Sequence, residues 1–167
     1  MKLLHTFDGK NYDESWKRCV REAVRAIIIK DGKIAMVQSD AKGYYKFPGG
    51  GAEMDEDHQA TLARETLEET GLHVKDITGE LGMIKEIRKG LYGQEIFEHN
   101  SYYYFATVSD EVSEAKLDDD ELDLGYHLVW TDIQEAYDTN MQCGKNAHTD
   151  FLFREAYVLK KLLASNG

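Results

Sequence analysis

The sequence predicts an α+β or α/β sandwich, with helices packed on a largely mixed β-sheet. Three observations carry that prediction. Apolar and aromatic runs of strand length recur between Ala26 and Trp130. Two other stretches, near 57–70 and 146–164, carry apolar residues at helical spacing. No internal repeat or low-complexity linker divides the chain, and 167 residues fit one ordinary domain. A single domain spanning 1–167 is therefore expected, with an N-terminal extension over about residues 1–20.

Ala23 to Gln38 reads as a hairpin. The apolar run Ala26-Ile27-Ile28-Ile29 meets a turn at Asp31-Gly32 and returns as Ile34-Ala35-Met36-Val37. Tyr44-Tyr45-Lys46-Phe47 is a short aromatic strand, stopped by Pro48 and the glycines Gly49, Gly50 and Gly51. From Asp57 to Thr70 neither Gly nor Pro occurs. Helix formers dominate there, Ala60, Ala63 and Leu67 recur at helical spacing, and Gly71 is placed to stop the helix.

Gly82–Arg88 and Ser101–Val108 have strand composition and are expected to pair antiparallel, with Leu91–Asn100 as the connection. Ser113–Asp123 is acidic and poor in apolar residues, the signature of a solvated loop, and the strand Tyr126–Trp130 follows. Thr131 is placed to cap a short helix, with Gln134 at its third position. From about Asn146 to Ala164, Phe151, Leu152, Ala156, Leu159, Leu162 and Leu163 form one apolar face, so an amphipathic helix should pack on the sheet.

Thirty-one acidic residues against twenty basic ones give a net charge of -11. Such a chain repels nucleic acid and anionic lipid, and no Lys/Arg cluster offsets that, so neither partner is expected. A small phosphorylated ligand stays compatible, because a divalent cation can bridge acidic protein and anionic ligand. Cys19 and Cys143 lack metal-ligand spacing and read as free thiols. The N-terminus has no signal-peptide pattern and no apolar run reaches membrane-spanning length, so a cytoplasmic location is expected.

The chemistry concentrates between Glu53 and Glu69. Seven carboxylates, Glu53, Asp55, Glu56, Asp57, Glu65, Glu68 and Glu69, stand there against the single Arg64. On a helix Glu65, Glu68 and Glu69 fall at i, i+3 and i+4, share one face and repel one another unless something positive sits among them. Many acidic helices are merely solvated faces. A bound cation is the alternative, and an oxygen-only donor set selects Mg²⁺, with Mn²⁺ as substitute, over zinc. The glycines upstream let the backbone approach an ion or a phosphate.

Read as a string, Gly50-x5-Glu56-x7-Arg64-Glu65-Thr66-x-Glu68-Glu69-x-Gly71-Leu72, with its Phe47-Pro48-Gly49-Gly50 lead-in, resembles the Nudix box of the Nudix hydrolase superfamily. Seven polar or glycine positions match over 23 residues. Thr66 departs from the pattern, standing where the family carries a bulky aliphatic residue facing the core. The resemblance is tight over 47–72, and the element order over about 20–163 is compatible with the Nudix fold, an α/β/α sandwich with a mixed sheet.

The resemblance implies a Mg²⁺-dependent pyrophosphohydrolase that cleaves a nucleoside diphosphate linked to another moiety, by attack of water on phosphorus. It assigns the metal to Glu65, Glu68 and Glu69 with a Gly49 or Gly50 carbonyl, and gives Arg64 the task of organising the ligands, partnered by Glu56 and Glu68. In this superfamily the general base is either a box glutamate or a carboxylate on a later loop. Glu95, Glu98, Glu121 and Asp123 are the candidates here, with Glu121 ahead. Tyr44, Tyr45, Tyr102, Tyr103 and Tyr104 are candidates to stack on a base, with strand packing as the ordinary alternative. Asn100, His127 and His148 are polar without an assigned role. Homodimers are common among such families. Two other functions share the fold: a nucleotide sensor, expected to have an eroded box or an attached DNA-binding domain, and a diphosphate isomerase, expected to have a cysteine near the site.

Overall fold

The structure, a computed structural model, describes residues 1–91, 93–144 and 151–165. Five strands, β1 (Leu3–Asp8), β2 (Lys17–Ile27), β3 (Ile29–Lys30), β4 (Lys33–Ser39) and β5 (Tyr45–Lys46), precede helix α1 (His58–Thr70). After it come β6 (Leu72–Lys89), β7 (Glu95–Val112), α2 (Asp119–Asp123), β8 (Tyr126–Thr131), α3 (Ile133–Gly144) and α4 (Phe151–Ser165). The order β1-β6-β7-β2 forms one mixed sheet, in which β6 and β7 are antiparallel and the outer strands run parallel to their neighbours. β3, β4 and β5 form a second, antiparallel group, with β8 on β4.

Side chains of a strand alternate between its two faces. Ile27, Ile34 and Met36 enter a core closed by Ile133 and Ala136 of α3 and by Val158, Leu159 and Leu162 of α4. Val24, Ala26, Ile28 and Ala35 enter a second core, against Leu62 of α1. Sheet strands between helices on both sides make the α/β/α sandwich. Burial on both faces also explains the unbroken apolar runs Ala26-Ile27-Ile28 and Ile34-Ala35-Met36-Val37.

The sequence reading needs five adjustments. The Asp31-Gly32 turn is present, with both residues in the left-handed region (φ 52° and 77°), but the hairpin it closes is only β3 with β4. Residues 23–27 belong to β2, which runs parallel to β7. On its other edge β2 takes the glycine loop as partner, with Val24 N donating to the Gly50 carbonyl (2.9 Å) and Ala26 N to that of Pro48 (2.8 Å). Strands β6 and β7 have 18 residues each, because their pairing continues at one end into residues 96–100, assigned to the connection, and at the other pairs residues 72–80 with 104–112.

The acidic stretch before β8 is not all loop. Asp118 accepts from Glu121 N, and the Glu121 carboxylate accepts from Asp118 N, a reciprocal cap that builds α2. Thr131 ends β8 rather than capping α3, and its hydroxyl donates to the Glu135 carboxylate (2.9 Å). The N-terminal extension carries β1 as an added edge strand on β6. The expected start of the last helix, near Asn146, lies outside the described residues, as does His148.

Candidate active site

Helix α1 is fixed at both ends by local chemistry. Asp57 caps it by accepting from Ala60 N (2.8 Å), and Gly71, at φ 73°, turns the chain out while its N–H bonds the Leu67 carbonyl. The face it buries is unusual, comprising Thr61, Leu62, Thr66, Glu69 and Thr70, whereas Ala60 is exposed and Ala63 and Leu67 are only part buried. The helix is therefore placed by polar contacts as much as by apolar area.

Arg64 supplies most of them. Its Nε and Nη2 donate to the two oxygens of Glu56, 2.8 Å each, while Nη1 donates to Glu65 (2.8 Å) and Glu68 (3.1 Å), and Nη2 also reaches the Gly51 carbonyl. A planar guanidinium with five donors suits this fork. The pairing holds the Glu56 carboxyl down at about 2 and pushes Arg64 above its ordinary value. Glu65 also lies against Gly50, where a Cβ would land on its carboxylate.

Glu69 faces inward from the same helix and is 2% exposed. Its carboxylate accepts from Gly49 N (2.9 Å) and from Lys46 Nζ (2.5 Å). Burial raises its pKa to about 7, and Lys46 and Arg25 only partly offset that. Gly49 makes the approach possible. It sits at φ 131°, a Cβ there would strike the Val24 carbonyl, and its own carbonyl accepts from Arg25 Nη1.

The lead-in to this loop is held from behind by two helices. The Asn140 side chain of α3 bonds both the N–H and the carbonyl of Tyr45 (2.8 Å each), and Glu155 of α4 accepts from Phe47 N (2.7 Å). Glu155 is fully buried, accepts also from Arg154 and Tyr103, and so joins the glycine loop to the core. Lys46, Arg25, Asn140 and Glu155 were not singled out from the sequence. A legible hint was the Arg154-Glu155 pair, two charges inside the apolar stripe of the last helix.

Among the late-chain acids, Glu121 is the one brought near. Helix α2 places its carboxylate 4.0 Å from Lys46 Nζ, so Lys46 stands between Glu69 and Glu121. Glu98 is committed to Lys85 and Arg18, 2.6 Å each; burial resists its ionisation, yet these partners hold its pKa low. Glu95 packs under Gly90 and Asp123 is exposed on α2.

The tyrosine assignment needs correction. Tyr45 (5% exposed) and Tyr103 (fully buried) are core residues, and Tyr44 (6%) is spent on Tyr126, whose hydroxyl it meets at 2.6 Å, and on the Phe151 ring. None offers a ring face to a base. Tyr102 and Tyr104 instead gather around His58, where Tyr104 meets His58 Nδ1 at 2.6 Å. Asn100 is buried beside Glu98, and His127 is exposed near Asp40.

The donor set fits a hard divalent ion. Glu65, Glu68 and Glu69 share a helix face, and the Gly50 position is a cradle that a side chain would fill. The Gly50 carbonyl already accepts from Val24 N, which leaves its second lone pair for a ligand role. Among the described residues no three acidic, histidine or cysteine side chains converge on one point, because Arg64 draws Glu65 and Glu68 aside while Lys46 draws Glu69. A cleft of about 630 Å³ opens beside Lys46 and Arg25.

Comparison with known proteins agrees with this architecture. Diphosphoinositol polyphosphate phosphohydrolase 2 of Rattus norvegicus is 29% identical over 107 residues, covering 64% of this chain and 52% of that protein. CTP pyrophosphohydrolase of Escherichia coli (strain K12) is 36% identical over 74 residues, covering 36% of this chain and 55% of that protein. The chain thus spans about half the length of these curated relatives. A solved structure of a NUDIX hydrolase from Nitrosomonas europaea superposes with a TM-score of 0.56 at 22% identity, over 76% of this chain and 87% of that one, and shows the same fold. Among the described residues no helix is long and apolar enough to cross a membrane. The family model for the NUDIX domain matches residues 20–153, and the chain belongs to that family.

Proposed function

We propose that the chain is a Mg²⁺-dependent pyrophosphohydrolase acting on a nucleoside diphosphate linked to another moiety, with Mn²⁺ as substitute. The observation that carries this is the division of the box carboxylates: Arg64 gathers Glu56, Glu65 and Glu68, while Glu69 is buried against Gly49 and Lys46, and Lys46 itself lines a cleft. In this reading Glu65, Glu68 and Glu69, with the Gly50 carbonyl, hold the metal. Once bound, it would supply charge neutralisation at phosphoryl oxygens and a more acidic water.

The chain's own groups account for the rest. Arg64 sets the rotamers of Glu65 and Glu68 and so positions the ligands. Lys46 offers a fixed positive charge toward phosphate oxygens from the cleft wall, a preorganised electrostatic contribution. Glu121, next to Lys46, is the proposed acceptor for the proton of the attacking water, through the carboxylate oxygen that does not cap α2. The names of the two relatives support a phosphoanhydride as the bond broken.

The competing readings fare worse. The box keeps all its charged positions, which a sensor has no need to preserve. Cys143 lies on α3 against the Lys42 carbonyl and Cys19 is exposed on β2, so neither offers an isomerase its cysteine beside the box. The test is a panel of CTP, an oxidised nucleoside triphosphate, a nucleotide sugar and a diphosphoinositol polyphosphate, assayed for released monophosphate, pyrophosphate or orthophosphate. Turnover of at least one member is expected, abolished by EDTA and restored by Mg²⁺ or Mn²⁺. No release from any member overturns the reading.

A further inference from the structure

The cleft beside Lys46 has a charge pattern opposite to that of the whole chain. Five cations line it, Arg25, Lys46, Arg88, Lys89 and Arg154, against one carboxylate, Glu86. The protein as a whole carries 31 acids to 20 bases, so its cations have carboxylates in excess to pair with. Three of the five are engaged: Lys46 with Glu69, Arg154 with Glu86 and Glu155, and Arg25 with the Gly49 carbonyl.

Arg88 and Lys89 differ. Neither makes an ion pair among the described residues. The Arg88 guanidinium lies 4.6 Å from the Phe97 ring centroid and, among the described residues, donates only to the Lys89 carbonyl, while Lys89 Nζ stands 5.6 Å from the Trp16 ring centroid. Contacts with aromatic faces orient a cation without neutralising it. The register places Arg88 opposite Phe97 and Glu86 opposite His99, so both pairs stand on one face of the β6–β7 ribbon. Arg88 lies two residues, about 7 Å, further along the strand than Glu86.

We propose that Arg88 and Lys89 form a subsite for a phosphate ester carried by the moiety attached to the diphosphate. The preferred substrates are then those whose non-diphosphate portion is itself phosphorylated. Two details agree. Arg25, 8% exposed, has a buried Nε with no partner among the described residues. His99, on the cleft wall, is held neutral by burial and then by Arg154, Arg25, Arg21 and Arg88, which records a positive field there.

The subsite deepens the hydrolase reading and rests on it for the word substrate, but binding can be measured without turnover. The probe is inositol hexakisphosphate, which carries phosphate esters and no anhydride, titrated calorimetrically into the full chain. R88A/K89A should weaken binding about tenfold or more, the loss expected for charge-assisted contacts. K30A/K33A, the same change in net charge at residues paired with Asp110 and Asp132, should leave the Kd within about twofold. Equal affinity for wild type and R88A/K89A, equal losses in the two double variants, or no binding by wild type overturns the subsite.

A kinetic arm separates the two claims. R88A/K89A should raise KM about tenfold for a substrate with a phosphorylated distal moiety and move it little for a nucleotide sugar with an uncharged hexose. Parallel loss on both substrates overturns the subsite. Absence of turnover by wild type overturns the hydrolase reading, while the calorimetric result still decides the subsite.

Discussion

Replacing Gly50 with alanine puts a methyl group where the Glu65 carboxylate lies. Gly50 is not among the residues at positive φ, so its backbone accepts alanine, and the obstacle is the far end of a flexible side chain. Glu65 must swing away and lose its 2.8 Å bond from Arg64. A hydrogen bond to a charged group contributes about 1.5–3 kcal/mol. With the Glu65 side chain 17% exposed, solvent should recover part of that, leaving a cost of about 1–2 kcal/mol. Alanine restricts the unfolded chain by about 0.4–1 kcal/mol in the opposite direction. The net loss is about 1 kcal/mol, or about 2–4 °C in Tm.

Activity should respond far more strongly. A ligand displaced by about 1 Å costs about 10²-fold in rate, and saturation should need more Mg²⁺. Thermal melts and steady-state kinetics across a Mg²⁺ titration measure both. Gly49→Ala is the contrast: its Cβ would strike the Val24 backbone carbonyl from φ 131°, so the loop itself must move, at about 3 kcal/mol or more. Wild-type turnover with unchanged Mg²⁺ dependence in Gly50→Ala, or a Tm loss as large as that of Gly49→Ala, refutes the reasoning.

Three further outcomes are expected. Glu69 has its pKa raised from 4.5 to about 7, so the folded state holds its proton more tightly than the unfolded chain does. The stability this contributes to metal-free protein is full below pH 4.5 and is lost as pH rises through about 7, at most about 3 kcal/mol. Denaturant titrations in EDTA should show that decline, and a Glu69→Gln variant that keeps the same slope contradicts it. Glu155→Ala should cost about 3–5 kcal/mol, because Phe47 N and Arg154 lose a buried acceptor, and a Tm within about 3 °C of wild type refutes that role. Thr66 is fully buried with its hydroxyl unpartnered among the described residues, so Thr66→Val should stabilise by about 1 kcal/mol in thermal melts, and any loss of Tm speaks against it.

The box and the helix carrying it were legible because their signals are local: a run from Asp57 to Thr70 without Gly or Pro, a Gly71 stop and carboxylates whose spacing fixes a shared face. Strand β7 was read too short because its alternation passes through Glu98 and Asn100, which are buried by pairing with Lys85, Arg18 and one another, and β6 because its first half, from Leu72 to Leu81, is mixed in polarity and largely exposed or half-buried. The parallel pairing of β2 with β7 was illegible for a related reason. The partners lie about eighty residues apart, and nothing in Lys17–Ile27 names its neighbour. Tyr45 and Tyr103 were misassigned because an aromatic in a strand looks the same whether it faces a ligand or a core. What decides is the core they share with Ile133 and Ala136 of α3 and Val158, Leu159 and Leu162 of α4.

The same distinction governs the charge of the site. Seven carboxylates within seventeen residues would repel one another if all were solvated alike, but the fold gives them different surroundings. Asp57 faces the helix N-terminus, Glu56 and Arg64 form a two-pronged pair, and Glu53 and Asp55 point to water. Of the three that the helical spacing groups together, Glu65 and Glu68 share one guanidinium nitrogen, while Glu69 goes inward to Lys46. Two cations from different elements therefore divide a triad that the helix alone would hold together. Arg64 travels with the helix and Lys46 with the strand clamped by Asn140, so the relative placement of α1 and β5 sets how far apart the three carboxylates stand. If these carboxylates hold the proposed metal, the clamp on β5 bears on its affinity from behind the loop, although neither Asn140 nor Glu155 touches a box carboxylate.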